Sequence, residues 1–208
     1  RLGGYDPYSA SKACTELVID SYRNSFFNIK NHSQHKKGIA VARAGNVIGG
    51  GDWSKDRLIP DIAKAFALEK PVTIRNPQSV RPWQHVLEPV IGYLLIGANL
   101  SAEPVMFSQA YNFGPHLSDA LTVEEMLKLA ITSWGRGEYI VEKVEGQPHE
   151  AGLLKLDISK VMAELKWQPK MNAQQAVSMT MDWYNQFKIK RSEINLFTES
   201  QVKYFLNA

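Results

Sequence analysis

Cysteine is nearly absent. Among 208 residues there is one, Cys14, so no internal disulfide forms, and a reducing, cytoplasmic setting is expected. Long apolar runs are missing too. The longest, "VIGYLLIGANL" at 90–100, is too short to span a bilayer and reads as a buried helix, so no membrane role is expected. A large excess of one charge is also lacking. The net charge is +3 from 24 basic and 21 acidic side chains, spread along the chain. That excludes a nucleic-acid stripe but leaves anionic small molecules open. Nothing reads as a signal peptide. The Walker loop, G-x-S-x-G and H-E-x-x-H are all missing, and the glycines of "GGGDW" lack dinucleotide-fingerprint spacing. Because the chain opens at Arg1 rather than methionine, we expect it to be part of a longer protein lacking its N-terminal section.

What is present is an ordinary globular composition, 44% apolar and 22% charged, enough for one large domain or two small ones. Helical patterns run over 8–27, 58–68 with Pro60 in its first turn, 88–99, 122–134, 157–165 and 173–188. Thr122 and Glu125 form a capping box. Short strands are expected at "GIAVARAG", "PVTIRN", with Val72 and Ile74 on one face, "AYNFGP" and "EYIVEKV". "NVIGGGDW" reads as a glycine-rich loop and "KNHSQHKKG" as an exposed polar one. Alternation of strands and helices implies a parallel α/β sheet.

Y-x-x-x-K occurs three times, at Tyr8/Lys12, Tyr139/Lys143 and Tyr184/Lys188, so context must separate them. In a strand, four residues span about 13 Å, and the second pair cannot cooperate. The third lies at a helix end and reads as a surface pair. The first differs. Asp6 suits an N-cap and Pro7 the first helical position, placing Tyr8 and Lys12 on one face, a turn apart. The ammonium and the positive end of the helix dipole both favour tyrosinate, as a general base for a hydroxyl proton requires. The alternative is an ordinary amphipathic helix that carries the pair by chance. Ala10, Ala13, Cys14, Leu17 and Ser21 form a small and apolar stripe away from the pair, suited to a core or a second subunit.

Further candidates lie where ligands of open α/β sheets bind, beyond the carboxyl ends of strands. Asn46 follows one strand, and its amide both donates and accepts; a plain flexible turn is the other reading. Arg75 and Arg81 flank a loop beside Trp83 and His85 and suit phosphates. Val72 and Ile74 offer an apolar wall to a nucleobase. Asn112 ends another strand, where it either faces a ligand or caps a turn. His149 and Glu150 either reach a ligand or start a turn. His32 and His35 have ligand-like spacing but no cysteine or carboxylate cluster beside them, and no metal is expected.

"DPYSASK", "ARAGNVIGGGDW", "RLIPD", "IRNPQSVRPWQHVLEP", "YNFGP", "PHEAGLLKLD" and "LKWQP", in this order, resemble the extended short-chain dehydrogenase/reductases, in particular their nucleotide-sugar 4,6-dehydratases. The resemblance covers nearly the whole chain. It implies the C-terminal part of a Rossmann-like α/β enzyme with a smaller substrate-binding domain. Residues 1–50 and 85–114 would belong to the NAD-binding domain, and 51–84 and 115–208 to the substrate domain. It also implies NAD as cofactor, CDP-glucose as substrate and a homodimer. Tyr8 would be the base, with Lys12 its partner on the nicotinamide ribose and Ala44 against the nicotinamide. Asn46, Arg57 and Leu58 would line the substrate site. Ile74 and Arg75 would lie near cytidine, and Arg81, helped by Asn112, would grip the diphosphate. The glycine-rich dinucleotide loop and the dehydration acid and base would lie upstream, so this segment alone is expected to be inactive. An NAD-dependent 4-epimerase, a dehydratase of another nucleotide sugar and a non-catalytic nucleotide-sugar-binding protein remain alternatives.

Overall fold

A computed structural model of the chain describes residues 6–142 and 154–208. Along these residues run α1 (Pro7–Ser25), α2 (His32–His35), β1 (Val41–Ala44), β2 (Asn46–Ile48), α3 (Leu58–Ala67), β3 (Val72–Ile74), β4 (Val80–Arg81) and β5 (Trp83–His85). There follow α4 (Leu87–Ala102), α5 (Pro104–Phe107), β6 (Ala110–Phe113), β7 (Leu121–Thr122), α6 (Val123–Trp134), β8 (Tyr139–Val141), α7 (Ser159–Leu165), α8 (Ala173–Ile189) and α9 (Ile194–Asn207).

Local chemistry sets several boundaries. Asp6 caps α1 by accepting the Ser9 N–H at 3.0 Å, and Pro7 opens the helix. Thr122 and Glu125 cap α6 reciprocally, and Gly135 ends it in the left-handed conformation at φ 88°. Asn172 and Gln175 do the same at the start of α8.

Three strand pairs are parallel, β1 with β6, β2 with β5 and β3 with β8, while β4 and β7 are antiparallel. The stretch 41–48 changes partner at Gly45. Before it, Ala44 stands opposite Phe113; after it, Asn46 stands opposite Trp83. The Gly45 N–H donates to the Phe113 carbonyl at 3.1 Å, and the Asn46 N–H to the Pro82 carbonyl at 2.9 Å. A Cβ on Gly45 would lie 2.7 Å from that Pro82 oxygen, so only glycine fits the crossing. The Gln84 amide fills the gap where the strands part, donating to the Phe113 carbonyl at 2.8 Å. The "NVIGGGDW" stretch is therefore not all loop. Its first three residues are β2, because Pro82 and β5 supply hydrogen-bond partners that local sequence does not display.

The larger core joins α3, α6 and α8 to β2, β3 and β5 through Ile62, Phe66, Met126, Leu127, Val177 and Met181. A second gathers Ile96, Phe107, Tyr111 and Phe113 with Ile158, Val161, Leu165 and Trp167. Thus 158–167 packs with the 96–113 stretch, on which α7 lies.

α1 is attached differently. It has no buried residue. A bidentate pair holds it, Arg43 of β1 donating to both Glu16 oxygens at 2.6 and 2.7 Å. Arg23 adds a bond to the Ser108 carbonyl. The stripe suited to a core or a second subunit is not buried among the described residues: Leu17 is exposed, as is Cys14. "KNHSQHKKG" is not all loop either. It holds α2, ended by Lys36 in the left-handed conformation at φ 54°. His149, Glu150 and Lys143 lie outside the described residues.

Candidate active site

A cavity of about 510 Å³ opens beyond the β1–β2 crossing. It is lined by Tyr8 of α1, by residues 45–49 with Asn46 among them, by Asp52, Asp56, Arg57 and the first residues of α3, and by Arg81 and Trp83.

Tyr8 is 71% exposed. The Lys12 ammonium sits 5.5 Å from its ring centroid, so the two share a helix face as the spacing predicts. Arg57 precedes α3, which begins with no side-chain cap. The first amides and the positive dipole end of α3 therefore open at the cavity wall. Arg81 is buried, and one guanidinium nitrogen donates to the Val80 carbonyl at 2.9 Å. Arg57 lies 3.6 Å from the Asp52 carboxylate. Hydrogen bonds from Ser54, and then the charges of Arg57 and Lys64, hold the Asp52 carboxyl below the usual carboxylate range. Asp56 adopts a left-handed φ of 59°, which aspartate tolerates better than most side chains. The lining thus combines two guanidinium cations, two carboxylates of which Asp52 pairs with Arg57, an uncapped helix start, a phenol and an amide. This set suits a phosphorylated, hydroxyl-rich ligand.

Of the residues expected at the site, Tyr8, Asn46, Arg57, Leu58 and Arg81 line this one cavity. Lys12 stands a turn behind Tyr8, and Ala44 lies half-buried at the end of β1. Arg75 is exposed just past β3. Two of the expected residues stand apart from this cavity. Ile74 is 3% exposed and, with Val72, belongs to the larger core. Asn112 does not line the cavity. Its amide is engaged at both ends, accepting from Arg43 at 3.3 Å and donating to the Asp157 carbonyl at 3.1 Å. The Tyr184/Lys188 reading also changes. Tyr184 is buried, and Lys188 lies over the Trp134 ring at 6.0 Å. Sequence reasoning missed Asp52 and Asp56; the only signal was two acids beside Arg57. It also missed the Glu16–Arg43 tether, for which local sequence carries none.

No protein-family profile matches the chain. It is 45% identical over 207 residues to CDP-glucose 4,6-dehydratase of Salmonella typhimurium, covering all of this chain and 57% of that protein. It is 26% identical over 183 residues to dTDP-glucose 4,6-dehydratase of Streptomyces antibioticus, covering 86% of this chain and 48% of the relative. The chain thus spans about half the length of the curated relatives it matches. Among solved structures, dTDP-glucose 4,6-dehydratase of Bacillus anthracis with NAD aligns at TM-score 0.68 and 21% identity, over 89% of this chain and 54% of that one. UDP-glucose 4-epimerase of Thermus thermophilus with NAD aligns at 0.69 and 22%, over 86% and 54%. The chain resembles a CDP-glucose 4,6-dehydratase along its whole length, and its α/β fold is that of part of the Rossmann-type nucleotide-sugar dehydratases and epimerases.

Proposed function

We propose that this chain belongs to an NAD-dependent nucleotide-sugar 4,6-dehydratase that converts CDP-glucose to CDP-4-keto-6-deoxyglucose. The observation that carries the reading is the convergence of Tyr8, Asn46, Arg57 and Arg81 on one cavity, in a chain 45% identical to such an enzyme.

The residues present fit the nicotinamide end of the cofactor. The Tyr8 phenol and Lys12 ammonium are both exposed on one helix face, and Ala44 lies half-buried at the end of β1. They would hold the nicotinamide ribose and ring. When bound, NAD would supply a hydride acceptor at sugar C4 and later return the hydride at C6. Tyr8 takes the proton from the 4-hydroxyl, and Lys12 keeps positive charge beside the resulting phenol–phenolate couple. With C4 at the ketone level, loss of the C5 proton and the C6 hydroxyl as water would call on an acid and a base outside these lining residues, and a proton would return to C5 as the hydride returned to C6. Arg57, Arg81 and the start of α3 grip the diphosphate, and Asn46 meets the sugar. Fixing the anion in this way holds C4 in reacting position. Arg75, exposed past β3, is assigned to the cytidine side.

A homodimer contact is assigned to the exposed side of α1, where Leu17, Val18 and Tyr22 face outward. A cytoplasmic setting is consistent with the single free cysteine. Among the described residues no helix is long and apolar enough to cross a membrane.

The test is turnover of CDP-glucose with NAD by the intact protein, read as the alkaline absorbance of a 4-keto sugar. Tyr8→Phe is expected to lower kcat by about 100-fold or more. A variant with the full wild-type rate would refute the assignment. The fold likeness to a UDP-glucose 4-epimerase supports a second reading, 4-epimerisation, which would give a C4 stereoisomer and no accumulating keto sugar.

A further inference from the structure

The helix α8 contributes nothing to the cavity lining, yet it holds the loop that does. Tyr184 of α8 is 2% exposed. Its hydroxyl donates to the Asp52 carbonyl at 2.5 Å. Trp53 packs edge-on against the Tyr184 ring at 5.2 Å and against Phe187 at 5.1 Å. Trp183 lies so close to Gly50 that a Cβ there would meet the indole at 2.1 Å. From the other side, Lys64 of α3 donates to the Trp53 carbonyl at 3.0 Å. The 50–53 backbone is therefore fixed by α8 and α3 together. The side chain it presents is Asp52, which reaches Arg57 at 3.6 Å.

We infer that Tyr184 is a positioning residue for the anion-binding wall: through the Asp52 carbonyl it fixes the loop whose Asp52 carboxylate holds the Arg57 guanidinium ready for a diphosphate. This rests on reading the cavity as a nucleotide-sugar site. The Arg57 side chain is 64% exposed and has little packing of its own to orient it. Released from Asp52, it would sample many rotamers, and ordering it would fall on the ligand. Tyr8 stands on α1, attached elsewhere, so the chemistry at C4 is untouched. The consequence is a change in anion affinity without a change in kcat.

The experiment compares wild type, Tyr184→Phe, Arg57→Gln and the double variant in the intact enzyme. Calorimetry gives Kd for CDP and for inorganic pyrophosphate, which carries no base; kinetics give KM and kcat for CDP-glucose. Tyr184→Phe keeps the ring and loses one hydrogen bond. It is expected to raise Kd for both probes, and KM, by roughly three- to ten-fold, the range a single net hydrogen bond spans, with kcat within about two-fold. In the Arg57→Gln background the same change is expected to add nothing, because the two act as one unit. If Tyr184→Phe fails to fold, Trp53→Leu loosens the same loop from a half-exposed position and carries the same expectation. A lowered melting temperature with unchanged Kd, or effects that add in full, would show Tyr184 to be packing alone and overturn the inference. If wild type binds neither CDP nor pyrophosphate, the nucleotide-sugar reading fails, and this inference with it.

Discussion

His85 lies on β5, opposite Ile48 of β2, and is 3% exposed. Its Nδ1 accepts the Leu87 N–H at 3.3 Å, which requires that nitrogen to be unprotonated. Burial lowers its pKa from the ordinary 6.5 to about 4. The folded value is depressed, so between 6.5 and 4 the unfolded chain takes up a proton that the fold refuses. Stability is complete above 6.5 and is lost as pH falls towards 4. At about 1.4 kcal/mol per pH unit, the whole interval amounts to roughly 3 kcal/mol. About 2 kcal/mol of it is gone by pH 5, a large share of a typical domain's stability.

Other groups titrate nearby in pH. The depressed carboxyls, Glu16 and Asp52 among them, start from ordinary values of 4.5 and 3.8, so they act below pH 5. The Glu88 carboxyl is raised by burial and works in the opposite sense, gaining stability as it takes up its proton. A difference between variants removes both. Urea unfolding followed by circular dichroism from pH 8 to pH 5 should show wild type losing about 2 kcal/mol, and His85→Gln, which cannot be protonated there, losing far less. Equal losses in the two proteins, or a flat wild-type profile, would refute the buried-imidazole account. The functional cost follows from position, because β5 carries Trp83 and pairs with Asn46 of β2. Charging His85 is therefore expected to weaken the β2–β5 pairing on which Asn46 sits.

Two further outcomes follow from how α1 is attached. Glu16→Gln keeps the shape of the tether and removes its charge. With Arg43 39% exposed, solvent screening reduces the loss to about 1 kcal/mol. Amide exchange along α1 should quicken and kcat should fall several-fold with KM little changed; unaltered protection of α1 would contradict this. In sedimentation at micromolar concentration the intact protein should be a dimer and Leu17→Asp a monomer, and a monomeric wild type would remove the α1 contact.

Much of the secondary structure was legible because it is set within a few residues. Asp6 and Pro7 start α1, Thr122 and Glu125 start α6, and the alternation of Val72, Thr73 and Ile74 is that of β3. The partner change at Gly45 was not legible, since it depends on the Pro82 backbone lying against it. Strands of two or three residues, such as β4, β5 and β7, are too short to show a period. At the site, Tyr8, Asn46 and Arg81 stood out because they lie beside a cap, a strand end or a loop, while Arg57 came only from the family resemblance. Where the Ile74 and Asn112 side chains turn was not legible for one reason: position along the chain places a Cα but not its side chain. Ile74 turns into the core, and Asn112 spends its amide on Arg43 and Asp157.

The two parts of the proposed chemistry are supported independently. The base stands on a helix with no buried residue, held by Glu16–Arg43 and Arg23. The anion grip stands on a loop clamped by Tyr184, Trp183 and Lys64. The tether of α1 lies outside the main core, whereas the loop is anchored to it through Tyr184 and Trp183. Loosening α1 should therefore act on kcat and loosening the loop on KM, because proton removal depends on where the phenol sits and substrate retention on where the guanidinium sits. A single perturbation that moved both equally, without lowering overall stability, would mean that the two tethers are coupled through a path other than these contacts.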